Sequence, residues 1–300
     1  MKSCIPRLSA PERAKTLVGI CSSVHIAVWT ALFLCLAFSL GCSGSTPASG
    51  PALPSIQEKA LLTASGEPVS RKTFLQRADK ADYILIGETH DNACDHRVQS
   101  RLIRWLAQNG TRAAVGLEMV PASGQEDLDR FNADRVELKN LPKVLDWEDT
   151  WGHPFSLYRP VFQAARKAGF PLFGLNADPE LFNAVKKTSR EGLQATEEPE
   201  RGWELIPPSA GEKRFLRREF ERHERLLKGR NQTDLDRERF FLVQATWDSA
   251  MAANAKAIRS RTGRKMIILA GNGHIQHCRG IPRRLRILDP SAEILTLSGW

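Results

Sequence analysis

The chain has 300 residues, of which 42% are apolar, and its formal net charge is +9. This length suits one sizeable hydrophobic core with insertions. The basic residues are interleaved with acidic ones and the chain has only two tyrosines, so its composition argues against a nucleic-acid-binding protein.

The first 57 residues are typical of an export signal followed by a tether. Residues 16–57 contain no Asp, Glu, Lys or Arg, and the apolar run 26–40 is shorter than the roughly 20 residues that span a membrane. The run ends in Ser-Leu-Gly-Cys, which is similar to a bacterial lipobox with Cys42 as the acylated residue. We predict a lipoprotein signal peptide over 1–41 and a flexible tether over 42–57. An uncleaved membrane anchor is the alternative.

Short apolar segments that are bounded by Gly or polar residues are typical of buried parallel strands. Four such segments occur, at 83–87, 113–118, 171–175 and 266–270. Helix-like segments lie between them, at 96–109, 158–168 and 240–261. This alternation predicts an α/β fold with an open, mostly parallel sheet flanked by helices.

The segment 179–233 has a different composition from the rest of the predicted domain, 58–300. It is dense in Glu, Arg and Lys and has no strand-like run, although Phe215 and Phe220 belong to an apolar stripe of helical spacing. We interpret it as a helical insertion or lid. A disordered linker is the alternative.

Polar side chains follow three of the predicted strands. Glu88 and His90 follow the first, Glu118 stands at the end of the second, and His274 follows the last. Open α/β sheets bind ligands beyond the carboxyl ends of their strands, so we expect these four side chains at one edge. Two imidazoles and two carboxylates suit a transition metal or general acid–base catalysis. For each histidine, an ordinary turn residue is the alternative.

Two cysteines stand in equivalent positions after the two Gly-x-x-His motifs. Cys94 lies four residues after His90, and Cys278 lies four residues after His274. If the strand ends are neighbours, the two cysteines come within the reach of a disulfide, which persists in an oxidising compartment. Separate thiols and two soft metal ligands are the alternatives.

Five motifs together resemble the ChaN family of haem-binding uptake proteins, in the order in which that family has them between residues 59 and 297. They are GETHDN at 87–92 with Gln99, GLEM at 116–119 with Gln125, the stretch 151–158, QATWDSAMAAN at 244–254, and GNGH at 271–274 with Gly-Ile-Pro at 280–282. The resemblance implies an α/β core and a lipoprotein that binds haem as a dimer during iron uptake. Ala93, Cys94 and Asp95 depart from the family, which often has Pro, an acidic residue and His there.

The resemblance implies haem as the cofactor, with Tyr158 as a tyrosinate ligand of its iron. His90, His96 and His153 are alternative ligands or hydrogen-bond partners. The chain has no CxxCH motif, which argues against covalent c-type attachment. A cluster of arginines can either meet the haem propionates or form a solvated face: Arg279, Arg283, Arg284 and Arg286.

The wider superfamily leaves a second class of function open. ChaN is related to the Tiki and TraB proteins, and Tiki proteins are metal-dependent proteases. In a hydrolase of this kind, His90, Glu118, His274 and Glu88 would bind a divalent transition metal, with Glu88 and Glu118 as the catalytic carboxylates. A scaffold lipoprotein is a third class, but it leaves the polar strand ends unexplained.

The resemblance also implies the partners and the cellular location of the protein. The expected partners are haem, the membrane through a lipid anchor, a second copy of the chain and an outer-membrane haem receptor. The expected location is the periplasmic side of a membrane or the surface of a bacterium.

Overall fold

The computed structural model describes residues 16–19, 61–63, 67–181, 202–226 and 233–299. The strands are β1 (Thr16–Gly19), β2 (Leu61–Thr63), β3 (Tyr83–Glu88), β4 (Ala113–Pro121), β5 (Leu172–Asn176), β6 (Lys265–Gly271) and β7 (Ile294–Gly299). They form one sheet in the order β2-β1-β7-β3-β6-β4-β5, and every neighbouring pair except β1 and β2 is parallel. The predicted open, mostly parallel sheet is confirmed.

Nine α-helices lie within the described residues. They are α1 (Arg71–Lys80), α2 (Ala93–Gln108), α3 (Gln125–Asn132), α4 (Leu141–Val144), α5 (Trp147–Trp151), α6 (Phe155–Ala168), α7 (Ala210–Leu226), α8 (Asp234–Thr262) and α9 (Gly280–Leu288). Local capping explains why two of them begin earlier than their apolar stripes predict. Asn92 accepts a hydrogen bond from the backbone of Cys94 at the start of α2, and Thr233 forms a capping box with Asp236 at the start of α8.

Helices cover both faces of the sheet, because successive side chains of a strand point to opposite faces. On β3, Ile84 and Ile86 belong to the core that contains α2 and α6. Tyr83 and Leu85 belong to the core that contains α8 and α9. Burial of a large apolar side chain contributes about 1.5 to 3 kcal/mol, so the two cores fix the sheet between two helical layers.

The structure describes only residues 16–19 of the predicted signal peptide and tether. β1 falls inside the predicted signal peptide, 1–41, and lies between β7 and β2. The apolar run 26–40, Cys42 and the tether 42–57 lie outside the described residues. No helix in the described ranges is long and apolar enough to cross a membrane.

The predicted insertion, 179–233, contains helix α7 in its described part. Phe220 of α7 packs against Phe240 of α8, with ring centroids 5.6 Å apart. Glu212 of α7 accepts a hydrogen bond from the backbone nitrogen of Gly280, at the start of α9. Helix α7 is therefore held against the helices on one side of the sheet.

Candidate functional site

The carboxyl ends of three strands bring the predicted site residues together. Strand β6 lies between β3 and β4, with Glu88 opposite Gly271 in the register of β3 and β6. Glu88 and Glu118 point to opposite faces of the sheet, and His90 lies over the end of β6. A Cβ atom on Gly271 would come within 2.8 Å of Cε1 of His90, so glycine is needed for this close approach.

Glu88 and His90 form a hydrogen-bonded pair at the end of β3. Nδ1 of His90 lies 3.0 Å from Oε1 of Glu88, and the side chain of His90 is 33% exposed whereas that of Glu88 is fully buried. Burial alone would raise the pKa of Glu88, but hydrogen bonds from His90 and His96 lower it to about 2. Glu88 therefore stays ionised and holds the proton of His90 on Nδ1.

The loop that carries His90 is fixed by short polar contacts. The backbone nitrogen of Thr89 donates to Oδ2 of Asp95 at 2.7 Å, and Nε2 of His96 donates to the carbonyl of His90 at 3.0 Å. His96 is fully buried, and its Nδ1 faces Oε1 of Gln99. Because both ring nitrogens are engaged, His96 supports the loop and does not suit the predicted role of a cofactor ligand.

Tyr158 lies beneath this pair, in the core of the protein. Its hydroxyl donates to Oε1 of Glu88 at 2.7 Å, and the residue is only 1% exposed. Burial and the charge of Glu88 both raise the pKa of Tyr158, which keeps the phenol protonated. In this structure Tyr158 is a buried hydrogen-bond donor to Glu88, and its role as a tyrosinate ligand stays a prediction. The other tyrosine, Tyr83, starts β3 at the far end of the strand and donates to Asp289.

Aromatic rings line the exposed side of His90. The ring of Trp151 meets it edge to face, with centroids 4.8 Å apart, and the ring of His153 lies 5.2 Å away. Gly152 adopts a φ of 76° between these two residues, which lets both rings approach the imidazole. His153 is thus placed beside His90, and the ring of Trp151 lies next to both.

A second histidine, His274, is clamped between two buried carboxylates. Its Nε2 lies 3.2 Å from Oε1 of Glu118, and its Nδ1 lies 2.6 Å from Oδ1 of Asp248. Burial would lower the pKa of His274, but the charges of Glu118 and Asp248 raise it well above its usual value. His274 is therefore a doubly donating imidazolium, and it offers no lone pair to a metal or a proton.

Arg284 continues this chain of charges on the far side of Asp248. It is fully buried and donates to Glu212 at 2.8 Å and to Asp248 at 3.3 Å. It therefore cannot meet a haem propionate. Of the other candidate arginines, Arg283 pairs with Glu212, Arg286 donates to the carbonyl of Pro282, and Arg279 lies over Phe215.

The predicted metal-ligand set is not formed by the side chains as they lie. Glu88 is engaged by His90, and Glu118 is engaged by His274, although Nε2 of His90 and Oε2 of Glu118 both lie within 4 Å of the position that a Cβ atom on Gly271 would take. No group of three or more His, Cys, Asp or Glu side chains in the described part of the chain is placed to hold a metal ion. Nothing in this geometry favours the metal-dependent hydrolase.

The predicted disulfide between Cys94 and Cys278 is wrong. Cys94 is disulfide-bonded, whereas Cys278 is not part of a disulfide. The two segments leave the sheet differently, because Cys94 lies in the first turn of α2 while His277 and Cys278 adopt left-handed φ values of 57° and 56°. Equal spacing after the two histidines therefore does not bring the cysteines together.

Three residues of the site were not recognised from the sequence. Asp248 lies within the QATWDSAMAAN motif without a predicted role, Arg284 is predicted either to meet a haem propionate or to lie on a solvated face, and Glu212 is one of many charges in the insertion. The helical spacing of α9 carries a usable signal. Arg284 shares a face with Ile281, Leu285 and Leu288, a pattern that indicates burial.

The fold and the site define an α/β protein whose sheet edge carries two histidine–carboxylate groups. The chain matches the model of the family described as haem-binding uptake, Tiki superfamily, ChaN, over residues 74–285. Because the match covers more than half of the chain, the protein belongs to the ChaN family. The resemblance noted in the sequence is confirmed.

A solved structure with a TM-score above 0.5 supports the same fold, and two further structures are similar at lower scores. The structure described as cofacial haem binding to ChaN of Campylobacter jejuni is 21% identical, covers 78% of this chain and 87% of its own, and has a TM-score of 0.60. An erythromycin esterase, EreC, is 15% identical with coverages of 76% and 72% and a TM-score of 0.43. The type III effector HopBA1 is 16% identical with coverages of 76% and 80% and a TM-score of 0.42. No curated protein matches the chain.

Proposed function

We propose that this protein binds haem at the edge of the sheet, as cargo in haem and iron uptake, with His90 as the axial ligand. The observation that carries the proposal is the state of the His90 ring. Its Nδ1 is held by Glu88, and no side chain or backbone group in the described ranges makes a hydrogen bond to its Nε2. A histidine held in this way by a carboxylate is typical of ligands to haem iron.

The surroundings of His90 fit a flat, largely apolar ligand. Trp151 and His153 flank the partly exposed imidazole. The site lies beyond the carboxyl ends of β3, β4 and β6, where open α/β sheets bind ligands. Membership of a haem-binding uptake family adds support, because it assigns the cargo that this site would take.

Replacing His90 tests the ligand. The wild-type protein should give the absorbance spectrum of histidine-ligated ferric haem when it is titrated with haemin. Loss of even an outer partner of a metal ligand costs roughly 10- to 100-fold in affinity, so His90→Ala should weaken binding at least about tenfold and change the spectrum. Haemin titration followed by absorbance measures both.

Two variants make this test specific. His277→Ala removes an exposed histidine of the neighbouring loop and should bind haemin as the wild type does. Tyr158→Phe should keep the histidine-type spectrum, because Tyr158 is buried beneath Glu88. A tyrosinate spectrum that disappears in Tyr158→Phe but persists in His90→Ala would contradict the ligand assignment.

We propose that Cys42 is acylated and anchors the protein on the periplasmic side of a membrane or on the cell surface. The apolar run that ends at a Gly-Cys junction supports this proposal. Cys42→Ala should abolish labelling with a fatty-acid analogue and leave an unprocessed precursor, whereas Cys35→Ala, within the apolar run, should be labelled normally. Persistent labelling of the Cys42 variant would rule the anchor out.

The family resemblance supports two further parts of the proposal. The protein would act as a homodimer, and it would exchange haem with an outer-membrane receptor. Analytical ultracentrifugation with and without haemin is the direct measurement of the first, and co-purification from detergent-solubilised membranes addresses the second. A mass of one chain under both haemin conditions would exclude the dimer.

A further inference from the structure

We propose that the outer surface of α1 and α2 docks on the anionic phospholipid headgroups of the membrane that carries the lipid anchor. The proposal rests on the proposed acylation of Cys42, and it goes beyond that anchor because it assigns the surface that meets the lipid. We call this surface the basic face, and its residues are Arg71, Lys72, Arg97, Arg101 and Arg104.

Helices α1 and α2 carry a large excess of positive charge. Their sequences contain seven Lys or Arg residues and two acidic residues, Asp79 and Asp95. Asp95 is buried, and Asp79 lies in the last turn of α1 beside Lys80. The opposite side of α2 packs in the core through Leu102 and Ile103. The side of the two helices that faces away from the sheet is therefore strongly basic.

The three arginines of α2 form one row along the helix. Arg97, Arg101 and Arg104 are spaced by four and three residues, which brings their side chains next to one another. Arg97 donates to Sγ of Cys94, and Arg104 donates to Oγ of Ser100 at 3.4 Å. Within the described residues none of the three forms an ion pair with a carboxylate. Their charge is therefore available to an anion outside the chain.

The basic face continues from α2 onto α1 through one aromatic ring. The guanidinium groups of Arg71 and Arg101 lie over Trp105, at 5.4 and 5.9 Å from the ring centroid. Arg71 also donates to Gln108, whereas its buried Nε has no hydrogen-bond partner in the described part of the chain. Burial and the charge of Arg104 lower the pKa of Arg101, so like charges are already close together. Phosphate oxygens match the donors of such gathered guanidinium groups.

The predicted tether reaches the domain beside the basic face. Leu61, the first residue of β2, accepts a hydrogen bond from the backbone of Val69 at 2.7 Å, and Ser70 then caps α1 directly before Arg71. About 19 residues separate Cys42 from Leu61, and a flexible tether of that length spans roughly 25 Å. The field of an anionic membrane extends only about 8 Å in physiological salt. The surface next to the tether is therefore the one best placed to enter it.

Helix α7 provides the contrast on the other side of the sheet. It also has three exposed arginines, Arg214, Arg217 and Arg218. Glu219 and Glu221 follow them directly, so this surface carries charge of both signs. It packs with α8 and α9, away from the start of α1 where the tether arrives. The α7 arginines are therefore a matched set that should not meet the membrane.

Vesicle binding by the full chain with Cys42→Ala tests the basic face without an acyl group. Phosphatidylcholine vesicles measure binding through the uncharged run 26–40, and vesicles that also contain phosphatidylglycerol add anionic headgroups. Each basic residue near such a surface strengthens binding by about fivefold. Arg97→Gln/Arg101→Gln/Arg104→Gln should therefore lower the preference for phosphatidylglycerol vesicles at least about tenfold. Co-sedimentation at physiological ionic strength measures this preference.

The same loss of charge on α7 is the control. Arg214→Gln/Arg217→Gln/Arg218→Gln should keep the preference of the parent chain, because these arginines face away from the bilayer. An equal fall in the preference of this variant would show that only total charge matters, and it would overturn the inference.

A charge-conserving variant separates a lost contact from a damaged fold. Arg97→Lys/Arg101→Lys/Arg104→Lys should bind phosphatidylglycerol vesicles nearly as well as the parent chain, and circular dichroism checks the fold of every variant. An unchanged preference in the glutamine variant of the same three residues would overturn the inference. Fatty-acid labelling that persists in Cys42→Ala would overturn the anchor instead, and the preference for phosphatidylglycerol would stand.

Discussion

Arg284→Met should lower the free energy of unfolding by roughly 3 to 5 kcal/mol, the cost of removing one partner from a buried ion pair. Arg284 is fully buried, and its guanidinium contacts the carboxylates of Glu212 and Asp248. Methionine fills most of the space but removes the buried cation that the two carboxylates share, which leaves Glu212 with Arg283 and Asp248 with His274. Denaturation with urea, followed by circular dichroism, measures the loss.

A matched substitution on the same helix separates charge from helix propensity. Arg286→Met removes a cation whose one hydrogen bond within the described residues is to the carbonyl of Pro282, and it should change stability by less than about 0.5 kcal/mol. In a Glu212→Gln background the Arg284→Met change should cost less than in the wild type, because contacting residues couple. Equal losses for the Arg284 and Arg286 variants would show that the buried network contributes nothing.

Arg284 also explains how the helices around the site are held together. Its partners lie on three helices, with Glu212 on α7, Asp248 on α8 and the carbonyl of Gly280 on α9. Asp248 in turn holds His274 at the end of β6. The position of the second histidine therefore depends on contacts with the described part of the insertion, residues 202–226.

Hydrophobic periodicity was enough to predict the sheet and the edge where its polar residues gather. The strands are short apolar runs whose burial needs no knowledge of distant partners, and parallel pairing places Glu88 and Glu118 at a common edge. Polar partners on distant elements could not be predicted in this way. Asp248 and His274 belong to different elements, and only packing of α8 against the sheet joins them.

The burial of Tyr158 could be predicted from helical periodicity, although the family resemblance indicated a ligand. Tyr158 shares a helical face with Val161, Phe162 and Ala165, all of which are buried. That spacing of three, four and seven residues indicates a core position rather than an exposed ligand. The resemblance placed the tyrosine near the site correctly, but helix periodicity decides which way its side chain faces.

The His274→Gln variant should lose less free energy of unfolding than the wild type as the pH rises. The folded state holds the proton of His274 more tightly than the unfolded chain does, because the charges of Glu118 and Asp248 raise its pKa. Its contribution is therefore complete below the unfolded value of about 6.5 and is lost as pH rises through the folded pKa. Urea denaturation between pH 6 and pH 9 should show a falling free energy of unfolding in the wild type.

At pH 6 the same variant should be less stable than the wild type by roughly 3 to 5 kcal/mol, since a neutral amide leaves the buried carboxylate of Glu118 without its cation, while Asp248 keeps Arg284. The slope above pH 6.5 should become shallower but persist in part, because Glu88 also raises the pKa of His90 and of His96.

His277→Gln is the matched control. Burial and Arg279 lower the pKa of His277, so this residue is largely neutral in both states above about pH 7.5 and its replacement should leave the slope there unchanged. An unaltered slope in His274→Gln would mean that His274 is not the imidazolium that its two carboxylates indicate.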